Sequence, residues 1–362
     1  MIQPDYPGRD QRLERYGRSK LPASLFRTHT LAAGERFAAW RESMGVFLDA
    51  SLASLREVKI FTGENESYLL DDIMLTRGIS AAQKYDRPAS KISRDGIDHY
   101  MIQIFISGGC ELNVLGRNVK STPHRAIAFD LGEIMDSYNS GFDLLALVIP
   151  RGRLAPLLTA PDSMHGRVPD VESGAGIMLA DFIKSLYLAA PSLMPTEAKA
   201  AMRALLEMLA AAFNGAPANE VAARDAGRQA AFLRVQLFIR ENLGTADLSP
   251  EAIALGVGMS RTALYRLFES TGGVADYVRE LRLRKCLAEI ISVSHIHRHV
   301  SEIAYRWGFT DPSHFTRLFR QRFGCTPSEA REAADPAARR DRVELDPRVG
   351  DRRYEEWIAG LA

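Results

Sequence analysis

The sequence predicts an α+β protein in which a β-rich amino-terminal domain precedes an all-α carboxyl-terminal domain. Three observations carry this. Between residues 58 and 149, seven short β-type runs broken by Gly, Asn, Asp and Pro recur every ~10–15 residues, the pattern of a sandwich or barrel. From about residue 175 onward the apolar positions return at helical spacing. Near the end, a pair of short helical segments occurs twice, 50 residues apart. At 362 residues, with 46% hydrophobic and 25% charged positions, the chain has room for two or three well-packed domains and is neither disordered nor collagenous.

Residues 1–24 are polar and read as a flexible arm. From Phe26 to Leu55 the apolar residues Phe37, Trp40, Met44, Phe47, Leu48, Leu52 and Leu55 recur every three to four positions, which predicts a helix. The β-type runs then follow: VKIFTG, SYLLDDIMLTRG, ISAAQKY, DHYMIQIFISGG, CELNVLG, RAIAFDLG and FDLLALVIP. Together they outline a β-domain over 25–160. Within its strand 97–106, Tyr100, Ile102, Ile104 and Ile106 form an apolar face. The alternate face, His99, Met101, Gln103 and Phe105, mixes apolar surface with two polar handles, as a small-molecule pocket requires. That face serves equally well to meet helices or water.

Two amphipathic helices are expected within 173–214. In the second, Ala198, Met202, Leu205, Leu209 and Phe213 share one stripe. They read as a lid on the β-domain or a dimer surface. The stretch 214–219, NGAPAN, reads as a linker.

The repeat is the most specific feature. LSPEAIALGVGMSRTALYRLF (248–268) matches VSEIAYRWGFTDPSHFTRLFRQRF (300–323) at Ile253-Ala254 and Ile303-Ala304, at Gly258 and Gly308, and at Arg266-Leu267-Phe268 and Arg317-Leu318-Phe319. Each copy is a short helix, a glycine-containing turn and a second helix, which is a helix-turn-helix unit. Small Ala permits close helix crossing, and Gly takes positive φ at little cost. Ser260, and Asp311 followed by Pro312, supply helix starts. Leu264, Leu267 and Phe268 face inward, as do Phe315, Leu318 and Phe319. Arg261, Thr262, Tyr265 and Arg266 are left outward in one copy, and Ser313, His314, Thr316, Arg317 and Arg320 in the other. These are donors and planar groups suited to base edges and phosphates.

Between the copies, 274–291 reads as a helix carrying Arg279, Arg282, Arg284 and Lys285, candidates for phosphate contact. Its length of roughly 27 Å is close to the ~34 Å that separates successive major-groove segments on one DNA face.

Charge supports a nucleic-acid partner for this region alone. The chain's formal net charge is +1, yet 234–331 holds fourteen Arg/Lys against ten Asp/Glu, and 332–362 holds six against eight. The three cysteines, Cys110, Cys286 and Cys325, form no CxxC pair and imply a reducing compartment. Cys325 reads as packing, and Cys286, within a basic stretch, leaves a low-pKa redox thiol open. The polar start has no apolar segment of secretory type, and the run 144–149 is far short of a membrane span. A cytoplasmic, soluble protein without membrane partner is expected. His295, His297 and His299 invite a metal site, but no acid or cysteine stands at ligand spacing. His99 and His124 stand alone, so neither metal nor cofactor is expected.

Residues 227–331 resemble the DNA-binding domain of the AraC/XylS family of bacterial transcription regulators. The resemblance rests on IALGVGMSRTALYRLF, on RELRLRKC and on the signature region IAYRWGFTDPSHFTRLFRQRFGCTPSEAR. Residues 26–160 resemble more weakly the same family's ligand-binding barrel, through SRDGIDHYMIQIFISGG and LLALVIPRGRL. Two positions depart from the pattern: Cys286 stands where alanine is usual, and a tail of about 30 residues, 332–362, follows Arg331. The resemblance implies a cupin-like barrel over 25–160, a helical dimerisation region over 173–214 and two helix-turn-helix units within 227–331. It further implies a homodimer that binds promoter or operator DNA, senses a small-molecule effector in the barrel and contacts RNA polymerase. The competing class is a barrel enzyme, an oxygenase or hydrolase, fused to a DNA-binding module. It would need a nucleophile–base pair or a metal set that the sequence does not display. An alkylation-repair relative would need a cysteine cluster in the amino-terminal half.

Overall fold

A computed structural model describes residues 14, 16–53, 55–114, 117–169, 174–214, 231–232, 234–245, 247–269, 273–291, 298–333 and 347–361. The 214–219 linker beyond Asn214, most of the 1–24 arm, and His295 and His297 lie outside them. The chain divides into two units. One is Met1–Arg87 with Ile97–Gly215 and Glu344–Ala362, and the other is Pro88–Gly96 with Ala216–Val343.

The first unit holds two antiparallel sheets. β1 (Ala23–Arg27), β3 (Gly63–Leu70), β4 (Ile73–Ser80), β6 (Tyr100–Ser107), β9 (Ala126–Asp130) and β11 (Phe142–Ile149) form one, in the order β1-β3-β4-β11-β6-β9. β2 (Asp49–Ser51), β5 (Gln83–Arg87), β7 (Cys110–Val114), β8 (Arg117–Ser121) and β10 (Met135–Asn139) form the other, ordered β2-β5-β10-β7-β8. Met74, Met101, Phe105 and Phe129 of the larger sheet share a core with Ala50, Tyr85, Leu112 and Met135 of the smaller. On the larger sheet's opposite face, Tyr100, Ile102, Ile104 and Leu147 pack under helices Gly174–Ala189 and Pro195–Asn214. The predicted stripe Ala198, Met202, Leu205, Leu209 and Phe213 is fully buried there. Three layers result: helices, six strands, five strands.

Three expectations need correction. The 26–55 region is not one helix. Phe26 pairs with Asn65 in the sheet, the helix α1 covers only Arg36–Met44 and is followed by Gly45, and β2 comes next. VKIFTG is not a strand: Leu55–Ile60 is helix α2, and Val58 and Phe61, three apart, turn toward the inter-sheet core. Neighbouring packing here overrides β-branched propensity. The described part of 1–24 is not loose, because Leu21 is buried and the Tyr16 hydroxyl donates to Asp351 at 2.5 Å. Trp40 of α1 shows how tightly the core is fitted. A Cβ on Gly63 would sit 2.4 Å from the Trp40 ring, so that strand position admits only glycine.

The chain's end belongs to the same unit. Gly350 bridges to Phe26, the Asp351 amide donates to the Leu25 carbonyl at 3.1 Å, and a last helix spans Arg353–Gly360.

In the second unit, α3 (Ala89–Asp95) joins α4 (Pro250–Gly256), α5 (Arg261–Phe268), α6 (Val274–Ile291), α7 (Val300–Arg306), α8 (Pro312–Phe323) and α9 (Pro327–Ala333), and residues 234–241 are helical as well. Two cores divide along α6. Val274, Val278 and Leu281 pack with Ile253, Ala254, Leu264 and Phe268. Leu283, Cys286, Leu287 and Ile290 pack with Ile303, Ala304, Phe315 and Phe319. One rod therefore serves both helix-turn-helix units, each with its own apolar centre.

Candidate nucleic-acid interface and inter-sheet cavity

In both copies the second helix begins where the sequence placed a cap. Ser260 Oγ accepts from the Ala263 amide at 3.2 Å. Asp311 Oδ1 accepts from the Ser313 and His314 amides at 2.8 and 3.1 Å, and these bonds hold its carboxyl below the usual range. The turn glycines, Gly258 and Gly308, have φ of 67° and 79°.

Leu264 and Phe268 of α5, and Phe315 and Phe319 of α8, are buried. The opposite faces are open: Arg261, Thr262, Tyr265 and Arg266 are exposed on α5, and Ser313, His314, Arg317 and Arg320 on α8. Thr316 is half-buried, and its hydroxyl donates back to the Pro312 carbonyl at 2.9 Å. Arg261 makes an exposed ion pair with Glu251 at 3.0 Å, which phosphate can exchange with.

The four basic residues of α6 separate into two kinds. Arg282 turns inward and donates to the carbonyls of Leu243 at 3.2 Å and Thr245 at 2.7 Å, tying the loop before α4 to the rod. Arg284 meets Glu280 at 3.0 Å, and Glu280 also receives Arg322 of α8 at 2.7 Å. Burial raises the Glu280 carboxyl, and the two guanidinium groups more than offset it, leaving it lowered. These arginines hold the two copies to the rod. Arg279, paired with Asp276 at 2.7 Å on the surface, and exposed Lys285 stay on the outside. His299 precedes α7, and its amide donates to Glu302 at 3.2 Å. Among the described residues no group of three or more His, Cys, Asp or Glu is placed to hold a metal ion. Cys286 is fully buried and burial pushes its thiol up, so the low-pKa reading is overturned. Burial pushes Cys110 up to about 12.

In the first unit, the alternate face of β6 does turn between the sheets, where a cavity of about 60 Å³ is lined by Met101 and Gln103. Phe105 instead packs edge-on against Phe142, at 6.4 Å between ring centroids, and His99 Nε2 lies 3.2 Å from the Ile358 carbonyl oxygen. Trp40, Met44, Asn65, Thr76, Tyr85 and Asn139 are further lining residues. Gln103 Oε1 is buried without a hydrogen-bond partner. Sequence reasoning missed Tyr354 and Ile358, which also line the cavity. Their helical spacing with Leu361 was the available signal.

Comparison with known proteins is consistent across both units. Residues 253–333 match the "Helix-turn-helix domain" family model, and 39–213 match the "AraC-binding-like domain". The chain is 25% identical over 317 residues to the transcriptional activator NphR of Rhodococcus sp., covering 86% of this chain and 93% of that protein. It belongs to the AraC/XylS family. It is accordingly a DNA-binding transcription regulator. To the HTH-type transcriptional activator RhaS of Escherichia coli, another AraC/XylS relative, it is 35% identical over 95 residues, 25% of this chain and 32% of that protein. The crystal structure of the AraC-like transcriptional activator CuxR matches with a TM-score of 0.50 at 25% identity, covering 72% of this chain and 94% of that one. Among the described residues no helix is long and apolar enough to cross a membrane.

Proposed function

We propose that this regulator activates transcription from the cytoplasm by docking α5 and α8 in successive major-groove segments of one operator, under control of a small molecule bound between the sheets. The observation that carries the DNA reading is the pair of exposed polar faces, each mounted on its own buried aromatic core and both fixed to one eighteen-residue rod. Arg266 and Arg317 read base edges, a task worth ~1–3 kcal/mol of discrimination each. Thr262, Tyr265, Ser313, His314 and Thr316 flank them. Arg261, Arg320, Arg279 and Lys285 hold phosphates and set the salt dependence. Activation, and regulation as opposed to catalysis, rest on the relatives, which are named as transcriptional activators.

The control site rests on the inter-sheet cavity with its unpaired Gln103 Oε1. A homodimer, which bound effector would bias, finds support in the exposed Ile177 and Met178 on Gly174–Ala189, 54% and 60% accessible. RNA polymerase is the expected partner at the promoter. Genomic fragments retained by the purified protein supply the operator for testing. Metabolites that shift its melting temperature must then change operator affinity and transcription, because coupling is reciprocal. A bound metabolite that changes neither removes the effector part of the proposal.

A further inference from the structure

The last helix of the chain, α10 (Arg353–Gly360), forms a wall of the inter-sheet cavity. Tyr354 and Ile358, one turn apart, are 1% and 0% exposed. The Tyr354 hydroxyl bonds Ser43 and accepts from Asn65 Nδ2 at 3.5 Å, so the tail answers one of the cavity's own polar groups. With both side chains seated, about 60 Å³ is left, whereas ligand pockets offer roughly 300–1,000 Å³. The tail sits where the body of a ligand would.

What holds it there is reversible. Arg352 pairs with Glu355 at 2.5 Å and with Glu42 at 2.9 Å, Ser43 donates to Glu355, and Arg353 donates to the Ala23 carbonyl at 2.5 Å. Desolvation offsets much of the attraction in buried pairs of this kind. An eight-residue helix does not persist in water once undocked. Chain order places Ala216–Val343 between two stretches that both belong to the barrel unit, the second of which ends in the docked helix.

We propose that α10 is a built-in competitor of the effector: ligand entry displaces Tyr354 and Ile358 and frees 347–361. This rests on the barrel being the effector site. The ligand class follows from the lining. Among the described residues no Lys, Arg, Asp or Glu lines the cavity, and a charged group there would go uncompensated. The ligand is therefore compact and uncharged, with a ring-sized apolar body and a hydrogen-bonding group for Gln103 or Asn65.

The test uses p-cresol, the tyrosine side chain as a free molecule, with full-length wild type, Tyr354→Ala and Tyr354→Phe. Calorimetry gives affinity, and hydrogen exchange follows the 347–361 amides. Tyr354→Ala should bind p-cresol about tenfold or more tighter than wild type, since a docked competitor reduces the competent fraction. Tyr354→Phe, which keeps the ring, should gain nothing. Saturating p-cresol should deprotect 347–361 in wild type, a readout that needs no variant to fold. Binding to wild type with those amides still protected overturns the competitor inference alone. Binding to none of the three proteins overturns the barrel's reading as a sensor of such molecules, and this inference with it.

Discussion

The two helix-turn-helix copies share a plan and differ in how firmly they are built. The first has an eight-residue second helix capped by a serine hydroxyl through one bond, and its turn glycine Gly258 faces open space. The second has a twelve-residue helix capped by a carboxylate through two bonds, and a Cβ on its Gly308 would come within 2.7 Å of the Arg282 guanidinium. Its core also takes in Ile92 of α3, while Ser93 Oγ donates to the Phe323 carbonyl at 3.0 Å. Both copies draw packing from outside themselves, the first from Val235, Ile239 and Leu243 and the second from Ile92, so the contrast lies in helix length, capping and the fit around the turn glycine. The difference teaches that one motif can be built with a shorter, singly capped second helix or with a longer, doubly capped one.

The strongest challenge to that contrast is Ile92→Ala. It should cost about 2–5 kcal/mol by cavity formation, with hydrogen-exchange protection lost in 300–323 and kept in 250–268. Equal loss in both copies would erase the distinction. Next comes the glycine pair. Gly308→Ala must adopt a positive φ and push Arg282 off its carbonyls, and should cost about 1–3 kcal/mol. Gly258→Ala faces only the backbone penalty and should cost about 1 kcal/mol; denaturant midpoints compare them. The caps give the smallest effect. Ser260→Ala should cost about 1 kcal/mol at any pH. Asp311→Ala should also lower the melting temperature, but its effect is pH-dependent. A folded pKa below the ordinary 3.8 means that the cap stabilises at neutral pH and is lost as pH falls through the lowered value. Asp311→Asn should keep most of the cap and lose the acid dependence.

Legibility in the sequence followed the range of the interactions. The repeat was readable because caps, turn glycines and apolar positions lie within about twenty residues of each other, and period-two alternation put Met101 and Gln103 on one strand face, which the fold turns between the sheets. The short strands Asp49–Ser51 and Met135–Asn139 were not readable, since polar Asp49, Asp136 and Asn139 hide any alternation. Nor was the place of the tail: Tyr354 meets Ser43 across 311 positions, and no local pattern announces that pairing. Arg282 and Arg284 looked like their basic neighbours because sequence shows charge and not direction. In the fold, backbone carbonyls and Glu280 claim them.

The central claim, that two outward arginines on two separate helices read the operator, is tested most directly by affinity ratios. Wild type, Arg266→Ala and Arg317→Ala are titrated at one salt concentration against a retained operator and a scrambled duplex. Each substitution should lower operator affinity by about 1–3 kcal/mol while leaving the scrambled duplex nearly unchanged. Equal losses on both duplexes would make these arginines phosphate contacts and contradict the account.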